Sequence, residues 1–293
     1  MQLVTDRAAD LSQEQLNSLT IDLHYLPLTL TLDSKEYISG VDIQPEEFYE
    51  LLSKSDDMPT TSLPSPDVIE TRLRKIVADT GDNDLLLVTI SQGLSGTYNA
   101  ARIAVEAVQK DGINVRLIYS RNLGSAEGWH VDAAARAIMA GWSLDDTATM
   151  LSKLSDATNL VFTLPDLKYL IHGGRIGHMK GLIASTLGIK PIIGVSKEDG
   201  KYEQRGSVRT FKRAVNKIAD SIEKFHPAGT KLRFQPQHAL NPEGLEQMKA
   251  SISKKFDVEF MPVAPIAPVL GAHIGVGLVG GAFAAVDDLP EMP

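Results

Sequence analysis

Hydrophobic positions along this chain follow two spacings in turn. Residues 85–90, LLLVTI, form an unbroken apolar and β-branched run, the pattern of a strand buried on both faces of a parallel sheet. The run breaks into SQGLSGT at 91–97, and residues 100–109 continue with helical spacing. The same order recurs as a strand at 114–119, a Ser/Gly loop at 120–125 and a helix at 126–139. Earlier, a short strand at 3–5 runs into the loop DRAAD, and Ser12 with Gln15 makes a capping box for a helix to about Leu19. LTLTL at 28–32 alternates strictly and turns at Asp33, so it predicts a hairpin. Pro45, Glu46 and Glu47 open a helix through Leu52. Residues 56–66 read as a loop stiffened by three prolines, and Ile69, Leu73, Ile76 and Val77 then mark a helix face. Ser143 with Asp146 caps a helix to Leu154.

A second block begins near Asn159. It predicts a strand at 160–164, a short helix at 165–172 and a hairpin formed by 189–195 and 201–208. Phe211, Val215, Ile218 and Ile222 share a helix face, as do Leu245, Met248, Ile252 and Phe256; strands are expected at 232–234 and 258–263. The tail, 269–281, is dense in Gly and aliphatics and is expected to form strands and turns. The expected fold class is α/β, with two α/β domains: 1–157, a largely parallel sheet with flanking helices, and 158–293, a mixed sheet with helices.

Composition narrows the chemistry. The chain has 293 residues and a net charge of −8, which argues against nucleic acid as the main partner. It has no Cys, which excludes a thiol nucleophile, a disulfide framework and a Cys-ligated metal. The beginning, MQLVTD, lacks the pattern of a signal peptide, and the composition fits the cytoplasm. No His pair has zinc spacing, so no metal and no cofactor are expected. The loop at 91–97 sits between a strand and a helix start, where hydroxyls, free N–H groups and the helix dipole favour an anion. It carries no Lys or Arg, so it suits a small, singly charged anion rather than a phosphate.

Five stretches together resemble one family. DRAADL at 6–11 is similar to an opening aspartate loop, TTSLPSP at 60–66 to a TSxPSP signature, and SQGLSGTY at 91–98 to an LSGTY signature. YLIHGGRIG at 169–177 resembles YLxxGGRIG, and GAHIGVG at 271–277 resembles a closing GAHTGPG. The family is DegV, the bacterial fatty-acid-binding proteins. The resemblance implies a long apolar lipid tunnel between the two domains, with a long-chain fatty acid as ligand and its carboxylate at the domain interface. It also implies a separate fatty acid kinase subunit as partner, which makes acyl phosphate for phospholipid synthesis while the binding protein does no chemistry. It leaves room for transient membrane contact.

By position, Ser95 with Gly96 resembles the direct carboxylate site, and Thr61 or Ser62 the second donor; the doubled Thr leaves both open. His273 is similar to the imidazole supporting the head group, and Arg175 to an arginine at the tunnel mouth that faces the kinase. Ile274 and Val276 depart from the family's Thr and Pro, which is expected to remove a hydroxyl beside His273. Tyr119 and Ser39 also depart, each standing where Asp is common. The alternative function is a Ser–His acyl hydrolase or thioesterase using Ser95 and His273. GLSG lacks the spacing of a nucleophile elbow, however, and no orienting acid is evident. A nucleotide-binding phosphotransferase is disfavoured, because no phosphate-binding loop with its Lys is present.

Overall fold

A computed structural model describes residues 1–179 and 188–292. The expected second domain, 158–293, includes residues 180–187 and 293, which lie outside this description. In chain order the strands are β1 (Gln2–Asp6), β2 (Leu23–Leu26), β3 (Thr29–Leu32), β4 (Lys35–Ile38), β5 (Thr60–Ser62), β6 (Asp84–Thr89) and β7 (Asn114–Tyr119). They continue with β8 (Asn159–Thr163), β9 (Lys190–Val195), β10 (Tyr202–Val208), β11 (Lys231–His238), β12 (Asp257–Phe260) and β13 (Val279–Ala285). The helices are α1 (Gln13–Ser18), α2 (Pro45–Lys54), α3 (Pro66–Thr80), α4 (Thr97–Gln109), α5 (Ser125–Met139) and α6 (Leu144–Ala157). After these come α7 (Lys168–His172), α8 (Phe211–Ile222), α9 (Pro242–Ser253) and α10 (Pro268–Ile274).

β6 pairs with β1 and β7 in a four-stranded parallel sheet of order β2-β1-β6-β7. Its apolar run is continuous because helices cover both faces. Leu85 and Leu87 pack with Ile69 and Leu73 of α3 and Ala101 of α4. Leu86 and Val88 pack with Ala126 of α5 and Leu151 of α6. Local chemistry sets the helix starts as expected: Ser12 and Gln15 form the capping box of α1, and the Ser143 hydroxyl accepts from Asp146 N at 3.1 Å. Ser65 caps α3 by accepting from Val68 N at 3.4 Å.

A six-stranded sheet follows, of order β10-β9-β8-β13-β11-β12, parallel only between β11 and β12. α8 and α9 cover one face through Val215, Ile218, Leu245 and Met248. The other face turns toward the parallel sheet, and α5 lies between the two. α5 touches β1 and β6 on one side and β11 and β13 on the other. Trp129 Nε1 donates to Gln235 Oε1 at 2.7 Å, and Ala282 N donates to the Ser125 hydroxyl at 3.1 Å. This double contact explains why α5 is buried all round, Glu127 and His130 included.

Three segments differ from expectation. Residues 60–62 are not loop but β5, which joins β3 and β4 in a three-stranded antiparallel sheet with Thr61 opposite Leu30. Residues 23–26 form an edge strand beside β1, where none was expected. The tail opens with the helix α10, with Pro268 in its first turn, rather than with strands and turns. α10 packs against α2, β3, β5 and α7. It thereby carries His273 from the end of the chain to the hydroxyls of β5. Among the described residues no helix is long and apolar enough to cross a membrane.

Candidate functional site

The carboxyl ends of β1, β6 and β7 share one edge of the parallel sheet, and the Ser/Gly loop after β6 is tied down there. Asp6 receives two backbone hydrogen bonds, from Ala8 N at 2.7 Å and from Ile90 N at 2.9 Å. The Ser120 hydroxyl donates to Thr89 O at 2.8 Å, and Ser91 N donates to Asn122 O at 2.8 Å. The Ser91 hydroxyl reaches across to the other sheet and donates to Gly200 O at 2.7 Å. These ties leave the last turn of the loop, around Ser95, facing a cleft. The Ser95 hydroxyl lies 2.9 Å from that of Thr97 and accepts from Thr97 N at 3.3 Å.

Thr61, Ser62, Ser95, Arg175 and His273 all line this cleft, whose empty volume is about 560 Å³, open water at its mouth included. The rest of the lining is mainly aliphatic, with Leu28, Ile90, Leu94 and Leu270. Thr61 Oγ1 lies 2.9 Å from His273 Nε2. Ser62 is exposed beside it; Gly96 is not among the lining residues, and a Cβ there would stand 3.1 Å from Leu63. Gly173 lets the imidazole in, because a Cβ there would stand 2.2 Å from His273 Nδ1. The next residue, Gly174, takes φ +73°, which turns the chain toward Arg175. The Arg175 guanidinium donates to the carbonyls of Gly173 and Leu94 and is the one Arg or Lys in the described lining.

Burial, aided by the positive potential of Arg175 and His172, pushes the His273 imidazole down to about 4, so it is neutral near pH 7. Its Nδ1 is buried without a hydrogen-bond partner among the described residues. A Ser–His hydrolase needs a serine bonded to the imidazole and an acid behind it. Here Ser95 pairs with Thr97, His273 pairs with Thr61, and no carboxylate stands at Nδ1. Among the described residues no cluster of three or more His, Asp or Glu could hold a metal.

A further space borders the cleft. A second cavity, of about 360 Å³ in empty volume, shares Leu123, Tyr202 and Leu270 with the first. Phe162, Leu160, Leu278 and Ile274 complete its apolar wall. Ile274 therefore lines this second cavity, whereas its neighbour His273 lines the outer cleft. Val276 packs half-buried against the core shared by both sheets. The other departures are structural: the Ser39 hydroxyl accepts from Val269 N at the start of α10, and the Tyr119 ring packs against Tyr98. Tyr202 and Leu270, which join the two cavities, carried no motif. The spacing of Leu270 and Ile274 behind Pro268 was the available signal for a helix.

A family model described as an uncharacterised protein of the DegV family matches residues 1–286. A DegV domain-containing protein of Clostridium perfringens is 34% identical over 278 residues, 95% of this chain and 96% of that protein. A Bacillus subtilis structure described as DegV, a fatty acid binding protein, superposes with a TM-score of 0.82 at 25% identity, covering 97% of this chain and 98% of that one. A Eubacterium ventriosum structure described as a stearic-acid-binding protein gives 0.81 at 26% identity, with the same coverage of 97% and 98%. With its α/β fold and its matched length, this chain belongs to the DegV family.

Proposed function

We propose that this chain binds a long-chain fatty acid, with the carboxylate at Ser95 and Thr61 and the acyl chain running inward past Leu270. The observation that carries this reading is the juxtaposition of two hydroxyls and a neutral imidazole in a mainly aliphatic cleft that shares Leu123, Tyr202 and Leu270 with an apolar cavity. The fatty-acid-binding relatives agree with it. A carboxylate leaving water must be hydrogen-bonded. If His273 Nε2 carries the proton, it donates to Thr61 Oγ1, which frees the Thr61 hydroxyl proton for the carboxylate. Ser95 supplies a second hydroxyl, and Ser62 and Gly96 flank the pair. Each charge-assisted bond contributes roughly 1.5–3 kcal/mol, and each buried methylene about 0.8 kcal/mol, so the chain supplies most of the affinity.

In this reading the protein does no chemistry. The cleft mouth, with Arg175 beside it, presents the carboxylate to a separate fatty acid kinase subunit, and the acyl phosphate made there feeds phospholipid synthesis. The work is cytoplasmic, with transient membrane contact when lipid is exchanged. The division into units of 1–157 and 158–293 belongs to the same proposal, with the ligand between them.

Titration of delipidated protein with oleic acid tests the reading. Ser95→Ala and Thr61→Val should each weaken binding by about tenfold to a hundredfold, the loss of one charge-assisted bond. Parental affinity in the double variant, or no binding by the parent, overturns it. With ATP, acyl phosphate should form only when a kinase subunit is added; formation by this chain alone would contradict the non-catalytic role.

A further inference from the structure

The inner cavity ends in an unexpected group. Its walls are apolar except at one end, where Asp10 and Gln237 meet. Asp10 and Ile266 line this cavity and also a third space, a wide open cleft between the segment after β1 and residues 263–268. That cleft has an empty volume of about 1460 Å³, water included, and carries the exposed apolar side chains Leu240 and Val263 on its lining.

We propose that the tunnel has a second mouth: Asp10, bolted by Gln237 and Ala267, closes it against the wide cleft, and acyl chains too long for the tunnel pass their methyl end out beside Ile266. The inference rests on the fatty-acid reading above. The bolt is a small set of hydrogen bonds between distant segments. One Asp10 oxygen accepts from Gln237 Nε2 at 2.8 Å, and the other accepts from Ala267 N at 3.0 Å. Gln237 is itself held by Ser125 N, which donates to its Oε1 at 2.9 Å, and by Pro265 O, which accepts from its Nε2 at 2.8 Å. An aliphatic plug would put apolar surface into water each time it moved. A carboxyl moved toward the cleft exchanges protein hydrogen bonds for hydration, so opening is cheap. The emerging methylenes meet Leu240 and Val263 rather than bare polar surface. The segment that must yield, 262–267, is short, carries Pro262 and Pro265, and lies outside any named helix or strand.

The test is competition among saturated fatty acids from myristic to lignoceric, offered together to the delipidated full-length chain. Bound acids are read by mass spectrometry of the extracted lipid. Asp10→Ala should enrich behenic and lignoceric acids over palmitic by about fourfold per methylene carried past the bolt. Ile266→Trp, which fills the passage without touching Asp10, should shift the profile the other way, and Ile266→Ala should mimic Asp10→Ala if that variant fails to fold. A chain-length profile unchanged from the parent in Ile266→Trp and Ile266→Ala overturns the second mouth while leaving fatty-acid binding intact. A parent that takes up no fatty acid of any length overturns both.

Discussion

Between about pH 6 and pH 7 the protein should lose stability as the pH rises, and Glu127→Gln should make that loss clearly shallower. Glu127 is wholly buried in the first turn of α5, and neither carboxyl oxygen has a partner among the described residues. The helix dipole favours a negative charge there. Burial outweighs it, and with Asp6 and Asp10 nearby it drives the Glu127 carboxyl well above the usual range. The same burial raises Asp10 to about 8 and Asp6 to about 6. Each carboxyl has a folded pKa above its unfolded one. The folded chain therefore keeps protons that the unfolded chain releases, and the stability is lost as the pH rises through the folded pKa.

The two low-pKa imidazoles act oppositely. His130 and His273 both lie at about 4, each lowered mainly by burial, so the unfolded chain takes their protons first as the pH falls below about 6.5. Between pH 4 and 6.5 the imidazoles offset part of the carboxyl effect. Above that range Asp10 and Glu127 go on lowering stability as the pH rises, opposed from about pH 7 upward by Lys197, whose ammonium burial pulls down to about 7. Urea denaturation across the pH range, parent against Glu127→Gln, measures the difference. Superimposable profiles would refute the assignment.

Gly128→Ala should be the most damaging single-methyl substitution in the chain's central helix. A Cβ there would stand 2.1 Å from the carbonyl oxygen of Asp10 and 2.9 Å from its carbonyl carbon. Neither side can retreat cheaply. The loop is fastened to the start of α5 by Asp10 N donating to Gly124 O at 3.1 Å and Gly124 N donating to Ala8 O at 2.8 Å. α5 in turn is wedged between two sheets. Overpacking of this kind costs about 3 kcal/mol or more. Gly177→Ala makes the control, since its Cβ would meet Gly174 O at 3.6 Å, an ordinary contact. The melting temperature should fall by several degrees for Gly128→Ala and stay near the parent's for the control; equal values would show that the α5–loop contact is softer than its geometry.

What was legible in the sequence was mostly local. The run at 85–90, the capping serines at 12, 65 and 143, and the helix faces of α3, α8 and α9 need only neighbouring residues to declare themselves. β5 did not, because a stretch of three residues beside prolines becomes a strand only by pairing with β3. β2 is a half-buried edge strand, so its residues carry neither clean alternation nor a continuous apolar run. α10 was hidden by its glycines. Gly271 suggested turns, whereas a Cβ there would meet Phe48 at 2.5 Å, so it serves close packing on α2. At the site, the motifs brought Thr61, Ser95, Arg175 and His273 to one cleft although they come from four segments. Tyr202, Asp10 and Gln237 escaped, because which face of an element looks into a cavity depends on partners up to 257 residues away.

The position of α5 limits how the molecule can breathe. One helix fills the core between the two larger sheets, binding Gln235 and Gln237 of one while packing on Leu86 and Val88 of the other. A clamshell motion that parted the sheets would strip this helix on one side and wet Glu127. For the fatty acid proposed above, exchange by rim movements at the segments carrying Leu63 and Arg175 would avoid that cost. The two sheets should also melt in one calorimetric transition, since neither has a complete interior once α5 has left it.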